Sequence, residues 1–253
     1  MKHTNILLIG AGNVATNIAV SFHSIGIRIV GIYSKTIETS NALASLVESR
    51  VIENLNELPE HDFIIVCVPD DIISSVISQL PIDAKIAYTS GTVSLQSLPN
   101  YPNLGVFYPL QTFTKEKMID LKTVPFFIEA NNSHFEKELF ELALHLGKQA
   151  TTTNSEQRKQ LHIAAVFVNN FTNHLAYIAK EHLEKNDLNW ENLLPLLEET
   201  LNKIKDSNPK EIQTGPARRN DLGVLKTHLN ELTGDPETIY KAITDSIIHT
   251  YHA

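Results

Sequence analysis

Gly10-Ala11-Gly12-Asn13-Val14-Ala15 has the spacing G-x-G-x-x-A, which lets backbone amides cradle a phosphate. Gly10 permits a tight turn out of a strand. Gly12 carries no β-carbon to keep a pyrophosphate away, and Ala15 lets the following helix lie close to the strand. The free N–H groups and the dipole at that helix's start favour a dianion. The pattern alone is common, and a structural glycine turn in some other α/β protein is the alternative. Its surroundings favour the ligand reading. The short apolar run Ile6-Leu7-Leu8-Ile9 precedes it, Val14, Ile18 and Phe22 recur at helical spacing, and residues 27–33 read as a second strand after Gly26. A dinucleotide site is therefore expected at Gly10, Gly12, Asn13, Val14 and Ala15.

The end of the second strand distinguishes the dinucleotides. An Asp or Glu there holds the free ribose 2′-hydroxyl of NAD. Here Tyr33-Ser34-Lys35-Thr36 stands instead, with no carboxylate before Glu38. A cation and two hydroxyls suit a 2′-phosphate, so Ser34, Lys35 and Thr36 point to NADP(H). The plain alternative is an ordinary solvated lysine.

A third group of residues could move a proton. Hydride transfer to a C=O or C=N bond asks the protein for orientation and a proton source, and a His of near-neutral pKa can supply it. His162, Val166 and Asn169 are spaced i, i+4 and i+7, so His162 and Asn169 would share a helix face. Ala164 and Ala165 leave room beside them. A satisfied core histidine is the competing reading. Arg218, Arg219 and Asp221 could bind a substrate carboxylate, or cap the helix starting near Asp221 and form a surface ion pair. No H-E-x-x-H or C-x-x-C spacing and no G-x-S-x-G elbow occurs, so neither a metal site nor a hydrolase is expected.

These groups need elements to carry them. Residues 62–69 form a continuous apolar run closed by Pro69, and further strands are expected at 51–52, 85–88, 105–107, 124–129 and 150–153, with helices at 40–49 and from Asp70. Ser133 and Glu136 read as a capping box opening a helix that stops at Gly147. Strands alternating with helices predict a doubly wound, mostly parallel sheet, with ligands beyond the carboxyl ends of its strands. Those ends add Val68, Pro69, Asp70, Ser90 and Gly91 to the cofactor set and bring Tyr108 to the crevice. From Asn154 strand signals vanish. Residues 155–184 read as one long helix, apolar on more than one face and hence central or buried between subunits. Helices at 190–205, 221–232 and 236–251 complete an all-α second domain. The expected domains are 1–152 and 153–253, with a homodimer built through the second.

Composition narrows the class. The formal charge of -8 over 253 residues argues against nucleic acid or an anionic membrane as main partner. Cys67 is the single cysteine and lies in an apolar run, so a buried, inert thiol is expected. The first strand begins within six residues, leaving no room for a signal peptide, and no run reaches about 20 apolar residues. A soluble cytoplasmic protein is expected.

The motifs together resemble a known type. Gly10 to Ala15, Thr89-Ser90-Gly91, Pro109-Leu110-Gln111-Thr112-Phe113, Leu161-His162-Ile163-Ala164-Ala165 to Asn170, and Thr214-Gly215-Pro216 to Asp221 are similar to bacterial NADP oxidoreductases with a Rossmann-like domain and a C-terminal helical domain of unknown function. These lie within the 6-phosphogluconate dehydrogenase-like superfamily, akin to pyrroline-5-carboxylate and ketopantoate reductases. The resemblance implies hydride transfer between NADP(H) and a small carbonyl or imine, His162 as acid, and Asn169 or Asn170 positioning substrate. It matches Arg219 and Asp221 as substrate residues. A His commonly precedes the Pro-Leu pair in the family. Here Tyr108 stands there, and its phenol can still donate a hydrogen bond. Asn220 replaces a Gly in the Thr-Gly-Pro stretch and is expected to tolerate a left-handed turn. A non-catalytic NADP-binding or sensing protein and a flavin or deazaflavin reductase are the alternatives.

Overall fold

The computed structural model describes residues 4–252 and divides into two compact units, Met1–Asn170 and Phe171–Ala253. The first holds β1 (Asn5–Ile9), β2 (Arg28–Tyr33), β3 (Val51–Ile52), β4 (Phe63–Val66), β5 (Lys85–Tyr88), β6 (Asn103–Pro109), β7 (Pro125–Ala130) and β8 (Gln149–Thr152). They form one sheet in the order β3-β2-β1-β4-β5-β6-β7-β8. Every pairing is parallel except β6 with β7. The expected doubly wound, mostly parallel Rossmann-like sheet is present. Strand order reverses at β1, between β2 and β4, and such a reversal opens a crevice at the carboxyl ends.

The uninterrupted apolar runs of β1 and β4 have a direct cause. Ile6 and Leu8 pack into one core cluster and Leu7 and Ile9 into another, with Phe63 and Ile65 opposed to Ile64 and Val66 in the same way. Successive side chains point to opposite faces, and helices cover both faces, so neither face can be polar. Helix α1 (Asn13–Ser24) buries Ala15, Ile18, Ala19 and Phe22 in the first cluster. Helix α2 spans Ile37–Leu46 and α3 spans Ile73–Ile77 after a 3₁₀ turn at Asp70–Ile72. Helix α4 spans Ser133–Leu146.

Two local expectations are corrected. The second helix begins at Ile37, with Thr36 as its N-cap, three residues before Ser40. The buried Ser40 hydroxyl donates to the carbonyl oxygens of Thr36 and Ile37. Ser133 does not cap α4. Asn132 does, its side-chain oxygen accepting from Phe135 N at 2.8 Å while its amide nitrogen donates to Pro102 O at 2.8 Å. One amide thus satisfies a helix end and ties it to the entry of β6.

Helix α5 (Ser155–Ala165) opens with a capping box of Asn154 and Gln157. A π-helical segment, Val166–Phe171, follows it, where the expected helix was regular. The strands end at Thr152, and the compact units divide later, after Asn170. Helix α5 therefore belongs to the unit that contains the sheet. The second unit has helices α6 (Thr172–Glu184), α7 (Leu194–Asp206), α8 (Leu222–Glu231) and α9 (Asp235–His252), and no strand among its described residues. No helix among the described residues is long and apolar enough to cross a membrane.

Candidate functional site

The glycine turn has the geometry its residue types require. Gly10 sits at φ +110°, and a β-carbon there would lie 2.1 Å from the Cys67 carbonyl oxygen. Its N–H donates to Tyr33 O at 2.7 Å, which ties the turn to the end of β2. At Gly12, by contrast, a β-carbon would meet nothing within 4 Å. Gly12 is the N-cap of α1, no side chain caps that helix, and its first turn holds no acidic residue. The helix start therefore faces open space with its amides and its positive dipole end. A pyrophosphate fits that combination.

Asn13 is the first residue of α1, and its amide nitrogen donates to Phe113 O at 3.0 Å. The fully buried Asn17 extends this link. It donates to Asn13 O and Thr114 O, both at 3.0 Å, and accepts from Ile119 N at 3.1 Å. Residues 113–119 are thereby stapled to α1. Val14 is half-buried and Ala15 fully buried. Sequence reasoning singled out Asn13 but missed Asn17, which stands on the apolar face of an amphipathic helix.

The other strand ends fall where the topology requires. Ser34 follows β2, and its hydroxyl pairs with that of Thr39 at 3.0 Å; Lys35 and Thr36 beside it are exposed. Val68 is half-buried, and Pro69 and Asp70 are exposed. Asp70 accepts a hydrogen bond from the Thr92 hydroxyl. Ser90 is buried, and its hydroxyl accepts from Thr92 N at 3.0 Å and Val93 N at 2.9 Å, so it shapes the loop after β5. Cys67 beyond β4 is half-buried rather than buried as expected, and its thiol is pushed up to about 12 by desolvation, against a smaller opposing effect of its hydrogen bond with Thr89.

At the end of β6 the nearly buried Tyr108 places its hydroxyl 3.0 Å from Nδ1 of His162 on α5. Burial raises the phenol above its ordinary range, with the nearby Arg158 charge opposing the rise. Gly91 makes the contact possible, because a β-carbon there would lie 2.7 Å from His162 Nδ1 and 2.8 Å from Tyr108 Cζ. The pair lines a cavity of about 390 Å³ that also takes in Gln111, Ala165, Asn169 and Asn170. The structure thus brings His162, Asn169, Asn170 and Tyr108 to one cavity, although Val166–Phe171 is π-helical rather than α-helical. Inserted π turns are frequent at functional sites.

Beneath this pair lies a network that sequence reasoning missed. Arg158, fully buried, forms an ion pair with Glu129 on β7. Its guanidinium also donates to Val93 O and, at 3.5 Å, to the Tyr88 hydroxyl. Ser155 Oγ donates to both Glu129 oxygens, at 2.8 and 3.0 Å. Burial raises the Tyr88 phenol strongly, and the Arg158 charge opposes it. An arginine in a polar helical turn reads as solvated, so nothing local in the sequence distinguishes this one.

In the second unit Asp221 is the N-cap of α8, its Oδ1 accepting from Val224 N at 3.2 Å. Of the two readings of that carboxylate, the cap is observed. Arg218 lies over the Tyr251 ring, 4.3 Å from its centroid. Arg219 opens no helix of its own; its N–H donates to Gly215 O and Pro216 O within the turn. Asn220 takes φ +55°, the left-handed conformation expected of it.

Known proteins match this arrangement along nearly the whole chain. A family model described as NADP oxidoreductase coenzyme F420-dependent matches residues 5–89. A second, a domain of unknown function (DUF2520), matches residues 124–247. A solved structure of a "putative NADP oxidoreductase" from Bacteroides fragilis is 38% identical, with a TM-score of 0.90 over 98% of this chain and 99% of that one. The chain belongs to this NADP oxidoreductase family. NADP(H) is the nucleotide of the family, in agreement with the expected cofactor. More distant family-like folds include an imine reductase from Myxococcus stipitatus in complex with NADP+, 13% identical with a TM-score of 0.64 over 97% of this chain and 92% of that one. A 1-pyrroline-5-carboxylate reductase from Streptococcus pyogenes is 14% identical with a TM-score of 0.64 over 99% of each chain. At those identities the likeness is one of fold. No curated protein matches the sequence.

Proposed function

We propose that this member of the NADP oxidoreductase family passes hydride between NADP(H) and a small carbonyl or imine. The observation that carries the reading is the Tyr108–His162 contact of 3.0 Å on the wall of the 390 Å³ cavity. NADPH, when bound, supplies the hydride. The chain's own residues do the rest. The α1 amides and the bare Gly12 backbone hold the pyrophosphate, while Ser34, Lys35 and Thr36 surround the 2′-phosphate. Val68, Pro69, Asp70, Ser90 and Gly91 line the remaining strand ends. His162 is the proton donor to the substrate oxygen or nitrogen. Tyr108, kept protonated by its burial, hydrogen-bonds Nδ1 and fixes the ring. The amides of Asn169 and Asn170 orient the substrate, and, separately, Arg219 and Asp221 are residues that could bind a carboxylate.

The test is NADPH oxidation against a panel of small ketones and cyclic imines. His162→Ala and Tyr108→Phe should each lose turnover by about 10²-fold or more, the usual contribution of a general acid. Both should bind NADPH as the unaltered protein does. Nucleotide binding without turnover of any panel member would leave a binding protein and remove the catalytic reading. A second reading follows from the family description, which names coenzyme F420. Deazaflavin-dependent NADPH oxidation in the same assay would favour it.

We also propose a homodimer in the cytoplasm, through the helical part. Large apolar side chains there stand open in one chain, among them Tyr177 at 54%, Leu196 at 64% and Leu222 at 64% exposure. Scattered apolar residues are normal on a surface, and this many on the helices of the second unit are what supports the dimer reading. Light scattering should give twice the 28.3 kDa of one chain; the mass of one chain at micromolar concentration would refute the dimer.

A further inference from the structure

The ion pair of Arg158 and Glu129 plays no direct part in the chemistry above, yet the fold buries Arg158 completely and leaves the Glu129 side chain only 12% exposed. Removing two charges from water offsets most of their attraction, and apolar residues of similar volume often stabilise as well or better. What a guanidinium does better than an apolar group is fix a geometry, since its fork of donors is planar and rigid.

Two separate stretches of chain meet on this one fork, β7 and the end of β5 with its loop. Nη1 is held by Glu129 of β7, and Nη2 donates to Val93 O in the loop after β5 and reaches Tyr88 OH at 3.5 Å. Ser155, the first residue of α5, donates to both oxygens of Glu129 and accepts from Leu95 N at 3.1 Å. Arg158 Nε is buried without a hydrogen-bond partner, so the guanidinium is set for its terminal nitrogens at the expense of the inner one. His162 lies four residues beyond Arg158 on α5, hence on the same face one turn on. The loop that Arg158 holds at Val93 contains Gly91, the residue that leaves room for His162 and Tyr108.

We propose that Arg158, clamped by Glu129, is a positioning residue: it fixes α5 against β7 and the loop after β5 so that His162 Nδ1 meets the Tyr108 hydroxyl. This rests on the reading of that pair as the proton source. The alternative is an ion pair that merely stabilises the fold.

The two differ in a signature of the imidazole itself. Long-range proton–nitrogen NMR spectra, recorded near pH 8 where a free His is neutral, tell which ring nitrogen carries the proton. The His162 signals are assigned by their loss in His162→Gln. In the unaltered protein the hydroxyl of Tyr108 should hold His162 in one tautomer, and Tyr108→Phe should release it to a mixture. The double variant Arg158→Met/Glu129→Gln removes both charges together and leaves neither buried alone. It should keep NADPH affinity within about threefold, yet show the same mixed tautomer as Tyr108→Phe. Arg158→Lys, which keeps the charge but loses the fork, is the second variant should the double one fail to fold, and should shift His162 the same way. A single tautomer in either folded variant, with Tyr108→Phe mixed, overturns the positioning role alone. A His162 signal that Tyr108→Phe leaves unmoved instead overturns the pair, and with it the catalytic reading.

Discussion

A β-carbon on Gly91 would stand 2.7 Å from Nδ1 of His162, so the empty side chain at position 91 is what allows an imidazole from α5 to reach a phenol on β6. Gly91 has no positive φ to explain it. Its requirement is steric, imposed by two side chains that arrive from elsewhere in the chain.

Gly91→Ala should therefore destabilise the fold by about 1–3 kcal/mol, the usual cost of forcing a methyl into a packed site, and should break the Tyr108–His162 contact. Urea titration measures the first and the His162 tautomer the second. Stability and tautomer both unchanged would mean that the pair has space to spare.

The two glycines of the opening turn should behave in opposite ways. Gly10→Ala places a methyl 2.1 Å from a backbone oxygen at φ +110° and should cost about 3 kcal/mol or more, since backbone has nowhere to go and the conformation is strained for an L side chain. Gly12→Ala points into open space. It should fold with an unchanged melting temperature but bind NADPH at least about tenfold more weakly, about 1.4 kcal/mol, because its methyl stands where the pyrophosphate approaches. Full NADPH affinity in Gly12→Ala would move the phosphate site elsewhere.

Lys35 is exposed at the end of β2. Lys35→Glu should lower the ratio of NADP to NAD affinity by about tenfold or more, as a carboxylate repels the 2′-phosphate and can accept from a free 2′-hydroxyl. Calorimetry with both nucleotides decides it. An unchanged ratio would leave Lys35 a solvated surface lysine.

Cys67 should be silent toward alkylating reagents. The thiolate is the reactive form, and desolvation holds the thiol protonated up to about 12. At about pH 8 the native protein should be labelled far more slowly than the same chain in urea. Equal rates would place the sulfur in solvent.

The sequence alone determined several features whose cause is local or periodic. The glycine turn, the apolar runs of β1 and β4 and the left-handed Asn220 each depend on neighbours within a few residues, where backbone sterics and side-chain alternation act directly. The NADP cofactor expected from the sequence is the family's nucleotide. Only the tertiary structure decided which residues serve one another at long range. Tyr108 and His162 are 54 residues apart and Glu129 and Arg158 are 29 apart. The amide of Asn132, which caps α4, also reaches Pro102, 30 residues before it. An arginine buried by incoming strands and loops has the same local signature as one in water, because the desolvation that gives it meaning comes from parts of the chain that its neighbours in sequence do not specify.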